Sequence, residues 1–210
     1  MTALRLVLVL VASIVACARA DHPDPVRTKA EPSNQAAAAG SDAMTQAQIP
    51  MTCDAAKQAI KARSFVGWRG LPPGCSPDVV FGLKLDDTWG VMPLGSSFEK
   101  ARSHLVELPG YGRAIAYARD GAVAMFDAMA PQLDGGWPAL SVDLGAPEAT
   151  FDWVFGTVVM PAGELVYAKH GLTIFLNPEN QAVAYISVYV PTTVEEYARR
   201  LRPPREKRPH

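Results

Sequence analysis

The 210-residue chain has little that would define a chemistry. It contains three cysteines, four histidines, 8% aromatic residues and a formal net charge of -1. So few cysteines exclude a disulfide-dense miniprotein and a four-ligand structural zinc site, and no histidine stands at ligand spacing from them. The scarcity of net charge excludes a polybasic chain, and 49% hydrophobic residues exclude a disordered or collagen-like one. There is no apolar run of the roughly 20 residues needed to span a bilayer. One folded domain is therefore the expectation.

What is present begins with an address. MTALRLVLVLVASIVACARA carries one positive charge at Arg5, then an apolar run from Leu6 to Ala12 that resumes after Ser13 as far as Ala16. This is the pattern of a secretory signal peptide over residues 1–16. Ala18-Arg19-Ala20 resembles a signal peptidase I site before Asp21, whereas Ile14-Val15-Ala16-Cys17 resembles the lipobox of bacterial lipoproteins. That second resemblance implies lipidation of Cys17 and a membrane partner held through the N-terminal lipid. In enteric-type Gram-negative bacteria, Ala18 after the cysteine implies sorting to the outer membrane. The expected location is the cell envelope, outer-membrane-anchored and facing the periplasm or the cell surface.

With Cys17 lipidated or removed, Cys53 and Cys75 remain, an even pair in an oxidising compartment. Their expected pairing closes a loop across 22 positions, contributing about 3 kcal/mol by restricting the unfolded chain. Two unpaired buried thiols are the alternative. Residues 17–50 are rich in Ala, Gln, Ser, Pro and Asp and read as a disordered tether. Residues 51–198 read as a single domain, and 199–210 (RRLRPPREKRPH) as a basic tail with six basic residues against Glu206. The mature body is left acidic, about -7, with the tail about +5. The tail suits an anionic surface or is simply a solvated terminus. An acidic body argues against nucleic acid as a partner.

Within the domain, Asp54 to Arg63 reads as a short helix capped by Asp54, and the Gly- and Pro-punctuated stretch after it as irregular extended chain and turns. At an offset of 50 residues, AYARDGAVAMFD from Ala116 falls on VYAKHGLTIFLN from Val166. Each copy reads as a hairpin turning at Asp120-Gly121 or His170-Gly171. A helix over Phe98 to Leu108 precedes the first, while FDWVFGTVVMP before the second is β-rich. Gln181 to Pro191 alternates as a strand, and Thr192 or Thr193 caps a closing helix, VEEYARRL. The expectation is an α+β fold, an antiparallel sheet of about five to seven strands from two hairpin-containing half-repeats, with a few short helices. In helix-plus-hairpin grammar alone, the folded part resembles small tethered lipoprotein domains of the outer-membrane protein assembly machinery.

Candidate chemistry is thin. Ser97 and Lys100 fit SxxK, and Lys169-His170-Gly171 resembles the KTG element of penicillin-binding enzymes, but Ser96 to Glu99 also reads as a helix capping box. His104 and His170 lack a nucleophile and carboxylate in pattern. Asp86, Asp87, Asp127, Asp134 and Asp143 form no calcium loop. Trp68, Trp89 and Trp137, the last beside Gly135-Gly136, are candidate ligand-facing aromatics or core rings. No catalytic residue, metal or cofactor is expected. The expected role is noncatalytic binding of an envelope protein or polymer. A small periplasmic hydrolase and a secreted ligand carrier cleaved after Ala20 are the alternatives.

Overall fold

Thr52 opens the first helix where helix-favouring Ala, Lys and Gln follow it. In a computed structural model that describes residues 51–155 and 158–202, its side chain accepts from Ala55 N at 3.1 Å. The cap is therefore Thr52, and Asp54 lies in the first turn of α1 (Cys53–Ala62), which ends on left-handed Arg63. The stretch expected to be irregular contains a second helix, α2 (Pro77–Phe81), with Ser76 as cap and Pro77 in its first turn. A disulfide joins Cys53 to Cys75 and so ties the start of α1 to the approach to α2. The expected signal peptide, Cys17 and the expected tether, together with residues 203–210, lie outside the described residues.

The remaining chain builds one antiparallel sheet of eight strands, more than the five to seven expected. Four form a meander: β1 (Gly90–Leu94), β2 (Glu99–Val106), β3 (Ala114–Arg119) and β4 (Ala122–Met129). After α3 (Gly136–Leu144) a second meander follows: β5 (Ala149–Phe155), β6 (Val158–Tyr167), β7 (Leu172–Leu176) and β8 (Val183–Tyr189). The spatial order is β1-β2-β3-β4-β8-β7-β6-β5, so the meanders meet where β8 pairs with β4, Met125 opposite Tyr189 and Phe126 opposite Val188.

The half-repeats differ from the expected ones. The helix expected over Phe98 to Leu108 is β2, zipped between β1 and β3, and the capping box expected at Ser96 to Glu99 is a tight turn with Phe98 in the left-handed region. Sheet pairing on both sides overrides local helix propensity here. Asp120 and Gly121 do form the two-residue turn of β3 and β4, both at positive φ. His170 instead ends a 3-10 turn, Ala168–His170, before β7.

Side chains alternate between two covered faces. On the first, α1 to α3 and the loops between them pack Ile60, Phe65, Trp68, Leu71 and Leu140 onto Phe126, Ile174, Ile186 and Val188. On the second, the chain returns after β8 through Thr193, which accepts from Glu196 N, into α4 (Val194–Glu196) and a π-type turn over Tyr197–Leu201. Tyr197 stacks on Tyr189 with ring centroids 5.0 Å apart, beside Leu94, Tyr117, Met125 and Val166. The folded segment thus runs through Arg202.

Candidate functional site

The C-terminal segment is fixed from two directions, and the residual space beside it is the candidate site. The β1–β2 turn supplies backbone donors: Gly95 N to the Arg202 carbonyl, Ser96 N to Ala198 and Ser97 N to Arg199, at 2.8 to 3.1 Å. Gly95 is required there, because its φ is +70° and a Cβ would lie 2.0 Å from the Arg199 carbonyl oxygen. From the sheet, Glu164 on β6 is wholly buried and accepts from Tyr197 Oη at 2.9 Å and from Arg202 Nε and Nη2 at 2.8 to 3.0 Å. Arg202 also lies 4.5 Å above the Phe151 ring. A buried carboxylate needs such a partner, since an unpaired charge off water is strongly destabilising. Burial, with the Glu164 charge adding to it, pushes the Tyr197 phenol well up, so it stays a neutral donor.

Between this segment and the β3–β4 turn lies an open groove of 230 Å³, with Ala124, Val190, Pro191 and Leu201 as apolar wall and Arg119, Thr192, Glu196 and Arg200 as polar rim. Arg119 arrives at the end of β3, beside the Asp120-Gly121 turn, and Arg200 arrives on the π-type turn. Glu99, the first residue of β2, holds both: its Oε2 lies 3.3 Å from Arg119 Nη1 and 3.0 Å from Arg200 Nε. The Arg200 hydrogen bond, ahead of the Arg119 charge, holds the Glu99 carboxyl below the usual carboxylate range. Glu196 is engaged by Arg199 through both oxygens, at 2.6 and 2.7 Å.

The residues singled out in the sequence lie elsewhere. Trp68 and Trp89 are buried: Trp68 stands edge-on to Phe65, and Trp89 donates to the Lys84 carbonyl at 3.0 Å and packs against the tilted ring of His104. These two rings belong to the core rather than to a ligand face. Trp137 is half-buried on α3, against the same cluster. His104 lies on β2, not on a helix, and His170 Nδ1 lies 3.4 Å from the Trp68 carbonyl. Ser97 donates to the Arg199 carbonyl at 2.7 Å, in a turn rather than at a helical SxxK position. Asp86 accepts from Thr88, Asp127 from Ser187 and Asp143 from Gly67 N, each within its own part of the fold.

Sequence reasoning did not find the groove. Arg119 and Arg200 are 81 positions apart and have no spacing relation. The one available signal was the Glu195-Glu196 pair ahead of Arg199-Arg200, which places acids and bases one turn apart in a segment able to fold back. No protein-family model matches the chain, and neither a curated protein nor a solved structure matches it.

Proposed function

We propose that the folded region is a noncatalytic binding module of an exported, lipid-anchored envelope protein, engaging an envelope protein or polymer at the groove beside the C-terminal segment. The observation that carries this reading is the groove itself, an open concavity in which apolar wall and guanidinium rim converge from two distant parts of the chain, residues 119–124 and 190–201. Concave apolar sites with a few convergent polar groups are the usual form of recognition sites. The hydrolase alternative fares less well, because His104 packs against Trp89 and His170 faces a backbone carbonyl, and neither meets a hydroxyl among the described residues.

Two measurements test this. A photo-crosslinking residue at Thr192, in the full chain in intact cells, is expected to yield a discrete adduct whose mass identifies an envelope protein or polymer. The same group at Gln58, on the exposed side of α1, is expected to yield none. Failure of the Thr192 position to cross-link overturns the groove as a binding site. Intact mass of the exported protein is expected to show acylated Cys17, and an unmodified start at Asp21 overturns the lipid anchor.

A further inference from the structure

Among the described residues, the guanidiniums of Arg119 and Arg200 share a single carboxylate, Glu99. That trio carries one excess positive charge, while Arg199 is paired with Glu196 and also feels Glu195. Glu196 is taken up by Arg199, and Glu99 spends a single oxygen, Oε2, on both other guanidiniums. Among the described residues, Arg200 uses Nε alone, so both of its Nη groups are without a protein partner, and its side chain is 42% exposed. Arg119 is 17% exposed, and its Nε is buried with no hydrogen-bond partner. A buried donor left unmade is destabilising, so an acceptor brought into reach would relieve it.

We infer that the groove takes a carboxylate carried next to an apolar group, as at the free C-terminus of a peptide chain ending in an aliphatic residue; this rests on the groove being the binding site. The planar edge of a guanidinium matches the two oxygens of a carboxylate. Val190, Pro191, Leu201 and Ala124 provide the adjoining apolar surface. A monoanion neutralises the excess charge. A phosphate, at roughly -1.5 to -2, overshoots it in the presence of Glu99 and Glu196. The volume of 230 Å³ is below the ~300–1,000 Å³ of most small-molecule sites and suits one terminal residue.

The test is a titration of the full chain in detergent micelles, followed by NMR of arginine Nε–H groups, with N-acetyl-leucine, N-acetyl-leucinamide and inorganic phosphate as probes. N-acetyl-leucine is expected to shift Arg119 and Arg200 saturably, with the amide and phosphate each at least about tenfold weaker. Arg200→Gln should weaken N-acetyl-leucine about tenfold, while Glu99→Gln, which removes the internal competitor, should tighten it about three- to tenfold. Misfolding cannot imitate that gain. Equal binding of acid and amide, tighter binding of phosphate, or a Glu99→Gln variant that binds more weakly each overturns the carboxylate assignment. If no probe shifts the arginines while the Thr192 position still cross-links, the carboxylate inference fails and the binding module stands; if neither occurs, both fail.

Discussion

The two faces of the sheet are covered by different means. Under α1 to α3 one continuous apolar cluster carries the packing, with scattered single bonds such as Val123 N to the Cys75 carbonyl and Tyr111 Oη to the Ile60 carbonyl, and a disulfide ties the start of α1 to the approach to α2. Under the C-terminal segment, Glu164, Thr173 and Ser187 are buried among apolar neighbours, and the covering residues are held by directional bonds to Glu164 and to the β1–β2 turn. Area-based packing degrades gradually when it is disturbed. Directional bonds to one buried charge fail together, so the second face is the one able to open locally.

Phe126 is fully buried between Phe81 and Tyr111, so Phe126→Ala should lower global stability by about 3–5 kcal/mol in urea unfolding. Reducing the Cys53–Cys75 bond should cost about 3 kcal/mol, read from the same transition. Arg202→Ala strips Glu164 of its cation. With Arg202 itself 31% exposed, the expected loss is about 2–3 kcal/mol. Hydrogen exchange should then rise over residues 194–202 while the first face keeps its protection. A uniform rise would erase the distinction between the faces.

A pH experiment bears on the second face. Burial, with the Asp127 charge adding to it, pushes the Tyr117 phenol up to about 12. The folded state therefore favours the neutral phenol. Its contribution is complete below pH 10 and falls away as the pH rises through 10 to 12. The urea midpoint should be level to about pH 9.5 and then decline, less steeply in Tyr117→Phe; identical slopes would remove Tyr117 from the account. The smallest change is Thr193→Ala, which removes the cap on α4 and should cost about 1 kcal/mol, visible mainly as faster exchange at Glu196.

The parts of this architecture legible in the sequence are those whose signal is local. Asp120-Gly121 demands a tight turn, β8 alternates cleanly, and α1 is a run of helix formers. Strand β2 was misleading because Ser96 to Glu99 imitates a cap and Glu, Lys, Ala and Arg favour helix. Its true pattern, Ala101, Ser103 and Leu105 against Arg102, His104 and Val106, emerges only when β1 and β3 flank it. Edge strand β1, with Gly90 and Pro93, has almost no periodicity. The groove was illegible for a stronger reason. Its charge excess depends on which carboxylate meets which guanidinium, and Glu99 reaches Arg200 across 101 positions.

The seam between β4 and β8 has a consequence for how the chain is made. Because β8 is the last strand among the described residues, the two meanders cannot be joined until it has been synthesised, and until then β4 and β7 both present unpaired edges. Long-range closure of this kind is slow relative to local hairpin formation. Premature stops or proteolysis before Val183 would leave two open four- and three-stranded ribbons rather than a shortened version of the same protein. The quality of the product is thus decided by the arrival of its final strand.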